Sequence, residues 1–371
     1  MRSKILFCIN TLRDGGAEKI LVDIVNHLDP DKYDIEVRLL QKRGVYFDRL
    51  NSNIKLTFIS GKRGSFSARV VSRLLPTLSS ELLHRLFIRE KYDVEVAFLE
   101  GYATKIIAGA PNGTKKLAWV HCDVTKTEWI NGVYKTDAGF SNCYRKIDET
   151  ICVSESVKEA FIARFGAVTK LTVKYNPVDD REIRELSCEE IQLQPQKDAV
   201  VLVSIGRMSY PKRFIRLLTA VNNLLKQGYK IELWLLGDGE ERKDLETFVQ
   251  EQGIRDAVTF TGYLKNPYPY IRQADLYVCS SIYEGFSTAA TEALVLGTPV
   301  LTTDVSGMRE MMGDSEYGFI TENDDIAFEN GLRKLLDHPE LLAHYRKMAQ
   351  KRSGYFEMEN RLKEIEELLN L

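Results

Sequence analysis

Apolar residues along the chain gather in short, nearly continuous runs rich in β-branched side chains. The first series is KILFCIN (4–10), DIEVRLL (34–40), IKLTFI (54–59), DVEVAFL (93–99), KKLAWV (115–120) and ETICVS (149–154). A second series opens at AVVLVSIGR (199–207) and continues with IELWLLGDG (231–239), VTFTGY (258–263), ADLYVCSS (274–281), PVLTTD (299–304) and GFITEN (318–323). Between most runs the apolar spacing becomes helical, as in GGAEKILVDIVNHL (15–28). Strands covered on both faces read as unbroken apolar runs, and parallel strands need crossover helices between them. The pattern predicts an α/β protein with two doubly wound, Rossmann-like domains facing a central cleft. The polar stretch 175–198 carries two prolines and no apolar period, so it is expected to link them. The expected division is 1–180 and 181–352, with a helical end, 353–371, packing back towards the first domain.

Length supports two domains, since 371 residues exceed one ordinary core. A net charge of −2 gives nucleic acid no electrostatic attraction, so no such partner is expected. No apolar run approaches a membrane span. The start, MRSKILFCIN, is too short for a signal peptide and lacks a small-residue cleavage site, so it reads as a first strand of a cytoplasmic protein. Six scattered cysteines without a C-x-x-C pair suggest free thiols rather than a zinc site or disulfide scaffold. The DPD at 29–31 resembles a metal-binding D-x-D, but it precedes the second strand and reads as a turn. No metal or cofactor is expected.

In open α/β sheets ligands bind beyond the carboxyl ends of the strands, so chemistry is sought there. Strand 1 is followed by Gly15 and Gly16 at a helix start. The strand ending at Val120 is followed by His121, Cys122 and Asp123. Arg207 follows Gly206, with Lys212 five residues on, and GDG (237–239) follows another strand. Beyond Cys279 comes SSIYEGFSTAATEA, in which Ser287 or Thr288 can cap a helix. Glycines admit close backbone approach, helix amino termini favour anions, and Arg207 and Lys212 add two positive charges. Together these suit a diphosphate, with Glu292 within the helix near its attached hydroxyls and Glu284 on the far side. The bland readings are solvated loop cations, helix-start carboxylates, a tight turn at Gly15–Gly16 and a structural histidine.

The block E-G-F-x(5)-E-A-x(3)-G-x-P-V resembles the E-x7-E signature of family 4 of the retaining glycosyltransferases, which have the GT-B fold. GGAE near the start, VSE (153–155), NPVD (176–179), GR with K at 206–212 and GDG extend the resemblance over nearly the whole chain. It implies sugar transfer from a nucleotide sugar with retention of anomeric configuration. Arg207 and Lys212 would bind the donor diphosphate and Glu292 the ribose hydroxyls. Glu284 would bind the transferred sugar, helped by Gly285 and the amides of Phe286 and Ser287, with Thr288 alongside. Gly237 would lie near the donor. Tyr263 and Leu264 stand where such enzymes grip the base, expected by family frequency to be uracil. Gly15 and Gly16 would line the site from the acceptor domain, with His121 facing donor sugar and acceptor. Relatives commonly have His next to Asp; here the segment reads WVHCD, which leaves Asp123 without an implied role.

No carboxylate is placed as a nucleophile, so a double displacement is not supported; the resemblance implies a same-face mechanism in which the leaving diphosphate helps deprotonate the acceptor hydroxyl. Alternatives with the same fold are a sugar-nucleotide epimerase, a pyridoxal phosphate phosphorylase (a much longer chain) and a non-catalytic sugar-nucleotide binder. Residues 62–91 carry seven Lys/Arg against two Glu, interleaved with Phe66, Val70, Val71, Leu74, Leu75, Leu82, Leu83, Leu86 and Phe87. A basic amphipathic segment suits an anionic membrane surface, although half of its apolar residues could equally pack on the sheet. The expectation is a peripheral enzyme at the cytoplasmic face, acting on a saccharide or lipid-linked saccharide in cell-surface polysaccharide synthesis of capsule, exopolysaccharide or lipopolysaccharide type.

Overall fold

The computed structural model describes residues 2–13, 15–134 and 136–370. The chain divides into two compact units, Met1–Pro177 with Met358–Leu371, and Val178–Glu357. Unit 1 has strands β1 (Ser3–Ile9), β2 (Tyr33–Gln41), β3 (Lys55–Ser60), β4 (Val94–Ala97), β5 (Lys115–Val120), β6 (Glu149–Cys152) and β7 (Lys170–Val173). Its helices are α1 (Gly16–His27), α2 (Phe66–Thr77), α3 (Ser80–Phe87), α4 (Tyr102–Ile107), α5 (Asp137–Tyr144) and α6 (Glu155–Phe165). Unit 2 has α7 (Asp180–Leu186), α8 (Phe214–Lys226), α9 (Arg242–Glu251), α10 (Tyr268–Gln273), α11 (Thr288–Val295), α12 (Met308–Met312), α13 (Asp325–Asp337) and α14 (Pro339–Ser353). Its strands are β8 (Val200–Ile205), β9 (Ile231–Leu236), β10 (Val258–Gly262), β11 (Leu276–Cys279), β12 (Val300–Thr303) and β13 (Phe319–Thr321). Helix α15 (Met358–Leu369) returns to unit 1.

Every strand pair is parallel. Unit 1 orders its sheet β3-β2-β1-β4-β5-β6-β7, and unit 2 orders its own β10-β9-β8-β11-β12-β13. In each, the first strand lies inside the sheet and the order reverses beside it, between β1 and β4 and between β8 and β11. That reversal opens a crevice at the carboxyl ends. The central strands are buried on both faces, from Ile5 to Ile9 in β1 and throughout β9. This is why they read as unbroken apolar runs.

Two elements depart from the sequence reading. Edge strand β7, KLTV, alternates polar and apolar residues, has no fully buried position and gave no apolar run. The stretch 175–198 is not bare linker: Asp179 accepts from the Glu182 amide and starts α7, which anchors itself through buried Ile183. Among the described residues, no helix is long and apolar enough to cross a membrane.

Candidate functional site

In unit 2, β8 delivers Gly206 and Arg207 to its carboxyl end. Gly237, after β9, has φ 131°, and a Cβ there would stand 2.1 Å from the Gly206 carbonyl oxygen. Only glycine lets these two loops lie so close. Met208 is fully buried and pins the β8 loop, while Arg207 is exposed. A single turn, Tyr210–Lys212, then carries Lys212 back over the strand end. The loop after β11 is tied to that turn: Ile282 N donates to the Pro211 carbonyl at 2.8 Å, and Ser280 Oγ donates to the Lys212 carbonyl at 2.9 Å.

Those ties bring Lys212 and Glu284 together, 72 residues apart in sequence. Lys212 Nζ lies 2.6 Å from Glu284 Oε1, and Ser281 Oγ donates to the same oxygen at 2.6 Å. Burial alone would lower the Lys212 pKa, but the Glu284 carboxylate outweighs it and holds the ammonium above its ordinary value. The ammonium is therefore fully formed at neutral pH.

Ser287 is the N-cap of α11 and accepts from Ala290 N at 3.3 Å. Its hydroxyl faces the helix rather than the open site. The Phe286 side chain is a buried wedge with its ring 5.8 Å from that of Phe356, which leaves its main chain as the part that can meet a ligand. Glu292 is 5% exposed, and Tyr268 Oη donates to its Oε1 at 3.5 Å. Thr288 and Gly237 are half-buried at the same end of the sheet. Beyond β10, Tyr263 is 48% exposed with half-buried Leu264 beside it. An open aromatic ring there offers a planar face to a base. Unit 2 thus gathers Arg207, Lys212, Gly237, Tyr263, Leu264 and residues 284–292 at the carboxyl edge of one sheet.

Unit 1 places Gly15 and Gly16 at the start of α1, where a Cβ on Gly15 would meet the Glu18 carboxylate at 2.1 Å. His121 follows β5. Burial lowers its pKa to about 3, so the ring is neutral; it hydrogen-bonds the Phe98 main chain and lies 4.9 Å from the Phe98 ring. Its Nε2 is buried and meets no partner. An imidazole nitrogen withheld from both water and protein has hydrogen-bonding capacity left for a substrate.

Three residues that sequence reasoning passed over support these groups. Ser281 and Tyr268 hold the two glutamates, and nothing in their local pattern singles them out. Glu100, after β4, is 1% exposed and accepts from His121 N at 3.1 Å and Cys122 Sγ at 2.6 Å. Burial raises its pKa. A carboxylate ending the apolar run VEVAFL was the available signal. Asp123 closes a turn, with Oδ1 accepting from Thr125 N at 3.0 Å and from Thr125 Oγ1 at 2.5 Å. That accounts for its burial without chemistry. All six cysteines are free thiols. Among the described residues, no group of three or more His, Cys, Asp or Glu gathers to hold a metal ion.

Two family models match the two halves of the chain. The family model "Glycosyl transferases group 1" matches residues 189–352, and "Glycosyltransferase Family 4" matches 14–182. An N-acetylgalactosamine-N,N'-diacetylbacillosaminyl-diphospho-undecaprenol 4-alpha-N-acetylgalactosaminyltransferase of Campylobacter jejuni is 26% identical, covering 94% of each chain. A lipopolysaccharide core biosynthesis glycosyltransferase of Rhizobium meliloti, LpsE, is 27% identical over 84% of this chain and 83% of its own. Among solved structures, Anabaena HepE in complex with UDP and glucose superposes with a TM-score of 0.77 at 20% identity, covering 99% of both chains. That last likeness speaks for the GT-B fold.

Proposed function

Since the chain belongs to the group 1 glycosyltransferases, with a family 4 amino-terminal half, we propose that it transfers a hexose or N-acetylhexosamine from a UDP-sugar to a saccharide acceptor with retention of configuration. The observation that carries this reading is the cluster at the carboxyl edge of the unit 2 sheet, where Lys212, Glu284, Ser281 and the amino end of α11 converge. Arg207 and Lys212 take the donor diphosphate, Glu292 takes the ribose diol, and Tyr263 and Leu264 cover the base. Glu284, with the main chain of Gly285, Phe286 and Ser287, holds the transferred sugar. On donor binding the Lys212–Glu284 pair exchanges one mutual contact for two contacts to the ligand. That exchange keeps both charges matched in free and bound states.

In the transfer step the bond between the anomeric carbon and the diphosphate oxygen breaks, and its electron pair leaves on the diphosphate. The acceptor hydroxyl attacks from the same face and gives its proton to the departing oxygen. Arg207, Lys212 and helix-end amides stabilise the developing charge, the kind of preorganised electrostatics that usually dominates such rate enhancements. The neutral His121 donates or accepts one hydrogen bond near the reacting sugar. The step as drawn calls for no metal and no nucleophilic carboxylate. UDP as the carrier is supported by the Anabaena structure, whose own ligand is UDP.

Unit 1 is read as the acceptor domain, and a lipid-linked acceptor is supported by the printed substrate of the Campylobacter relative. The chain is read as cytoplasmic, peripheral on the inner membrane face, and engaged in cell-surface polysaccharide synthesis. Helices α2 and α3 support the membrane contact. Val71, Leu75 and Leu83 pack inward, while Phe66 (77% exposed), Val70, Leu82 and Leu86 face out. Exposed Arg69, Arg73 and Arg85 lie beside those outward residues on α2 and α3, and exposed Arg89 follows the end of α3. The deciding experiment incubates the chain with a panel of UDP-, GDP- and ADP-sugars, follows slow donor hydrolysis, and reads the anomeric configuration of the first sugar released by NMR. Hydrolysis confined to GDP- or ADP-sugars removes the UDP assignment, and inversion removes the same-face mechanism.

A further inference from the structure

The loop that carries Gly285 and Phe286 rests on two supports, and both come from the last residues of unit 2. The first is Phe356, fully buried, whose ring lies 5.8 Å from that of Phe286. Phe356 is itself pinned, since Val178 N donates to its carbonyl at 3.0 Å. The second is Arg352, near the end of α14, which reaches the loop through α12.

Helix α12 has a left-handed residue at each end, Gly307 at φ 79° and Gly313 at φ 55°. Its entry abuts the loop. A Cβ on Gly307 would stand 2.6 Å from the Gly285 carbonyl oxygen and 3.4 Å from the Phe286 Cα. Only glycine permits that approach, so the main chain of Gly285 and Phe286 sits where α12 lets it sit. Apolar packing fixes α12 only loosely. Its buried residues are Met308, Met311 and Met312, and the flexible methionine side chain adapts to many shapes.

The exit of α12 is where it is fastened. A helix leaves its last four carbonyls without internal partners. Here the Arg309 carbonyl accepts from the Gly313 amide, and the Met312 carbonyl accepts from Tyr317 N at 2.9 Å. The two carbonyls between them share one guanidinium. Arg352 Nη2 donates to the Glu310 carbonyl at 2.6 Å, and Nε donates to the Met311 carbonyl at 3.1 Å. A cation there also complements the helix dipole. The rings of Tyr355, Tyr317 and Phe356 surround the guanidinium, with centroids 3.9, 4.9 and 5.4 Å away. Among the described residues no carboxylate pairs with it. A planar fork held between rings delivers two donors in fixed directions, which an ammonium cannot do. On its open side α12 is tied by Arg309 to Asp304 and Asp314, but the Arg309 side chain is 61% exposed, and such surface pairs hold little.

We propose that Arg352 is a positioning residue for the donor sugar. It fixes α12, and through Gly307 it sets the main chain of Gly285 and Phe286, while Phe356 holds the same loop by its side chain. The inference rests on the reading of residues 284–287 as the holders of the transferred sugar. It goes beyond that reading by making their placement depend on a residue at the far end of α12.

The test compares wild type, Arg352→Met, Arg352→Lys and Glu284→Ala. Calorimetric titration measures UDP against UDP-glucose, UDP-galactose, UDP-N-acetylglucosamine and UDP-N-acetylgalactosamine, and donor hydrolysis gives kcat and KM. Where the donor panel returns GDP or ADP, those diphosphates and their sugars take the same places, because the inference concerns the sugar and not the base. Methionine keeps bulk among the rings and drops both carbonyl contacts; lysine keeps the charge and can reach one carbonyl. Arg352→Met binds UDP as wild type does and binds the preferred UDP-sugar at least ~10-fold more weakly, as expected from losing hydrogen bonds made by a charged group. Its kcat falls by roughly 10- to 100-fold, because a sugar held slightly out of place reacts poorly. Arg352→Lys recovers part of both. The split between UDP and UDP-sugar is what a merely structural residue would not produce. If Arg352→Met does not fold, Arg352→Lys carries the same comparison against wild type. Wild-type UDP-sugar affinity and turnover in the Arg352 variants overturn the proposal, and so does an equal loss of UDP and UDP-sugar. Glu284→Ala tells the two readings apart. If it weakens the UDP-sugar while the Arg352 variants do not, the present inference alone fails; if it leaves the UDP-sugar untouched, the reading of residues 284–287 fails and the inference falls with it.

Discussion

Replacing Lys212 by alanine separates stability from catalysis at the donor site. Its ammonium is 2.6 Å from a Glu284 oxygen, and the two side chains are 29% and 11% exposed. At ~4 Å and an effective dielectric of about 20, such a pair is worth roughly 4 kcal/mol before desolvation. Partial exposure and desolvation reduce the net loss on truncation to about 1–2 kcal/mol, below the 3–5 kcal/mol typical of a fully buried broken pair. What remains is a largely dry Glu284 carboxylate held at that oxygen by Ser281, with the weak Cys279 thiol donor at 4.0 Å. For a unit of this size the melting temperature should fall by roughly 2–8 °C. Turnover should fall about a hundredfold or more, because one preorganised charge on the leaving group is gone. The companion variant Lys212→Ala/Glu284→Gln removes the stranded charge. Its melting temperature should return towards wild type while activity stays low. Differential scanning calorimetry and donor turnover at saturating UDP-sugar read the two effects. Wild-type turnover in the single variant, or a double variant no more stable than the single, would refute the reasoning.

Three further outcomes follow from other residues. Glu292→Ala should weaken UDP binding, whereas Glu284→Ala should weaken the UDP-sugar and turnover and leave UDP nearly unchanged; calorimetric titration with both ligands distinguishes them, and equal effects on UDP would mean the two roles are misassigned. His121 is held neutral with a pKa near 3 against an ordinary 6.5. An unfolded chain therefore binds the extra proton between those values, and stability must fall as pH drops from about 6.5 towards 3, by at most roughly 5 kcal/mol. Chemical denaturation across that range should show this slope shrinking in His121→Asn, and an unchanged slope would assign it elsewhere. On α2, on α3 and just beyond it, serine at Arg69, Arg73, Arg85 and Arg89 should abolish salt-sensitive co-sedimentation with anionic vesicles, each cation near the surface being worth about 1 kcal/mol; binding indifferent to lipid charge would favour a soluble acceptor.

The fold was legible where burial was complete. Central strands such as β1 and β9 announce themselves because both faces are dry. Edge strand β7 did not, since its outer positions face water and its sequence alternates. Helix α7 hid in a polar stretch because one buried residue, Ile183, makes no period. At the donor site the residue types and strand-end placement of Arg207, Lys212, Glu284 and Glu292 were readable. Their contacts were not. The two loops that carry the Lys212–Glu284 pair are joined by hydrogen bonds from the Ile282 amide and the Ser280 hydroxyl, which no local pattern encodes. The Ser281 hydroxyl looks like any loop serine until Glu284 folds over it. Along 62–91 the apolar spacing was clear, but only packing shows that Val71, Leu75 and Leu83 turn inward while Phe66, Val70, Leu82 and Leu86 do not.

The path of the chain has a consequence for how the protein is made. Unit 1 is interrupted after Pro177 and resumes at Met358, with all of unit 2 between. Its last helix is fastened to the rest of unit 1 by Lys174 to Glu364 at 3.1 Å and by Lys115 Nζ to the Asn370 carbonyl at 2.6 Å. During translation that helix leaves the ribosome only after unit 2 has been synthesised. Unit 2 is a contiguous stretch and can collapse as soon as it emerges, as domains generally do. The unit that begins first is thus finished last. A nascent chain halted just past Glu357 would carry a complete unit 2 and a unit 1 with an uncovered apolar seat for Ile365 and Leu369, both buried when the helix is in place. Chaperone capture during synthesis should therefore peak on amino-terminal sequence at a stage when the carboxyl-terminal half is already protease-resistant.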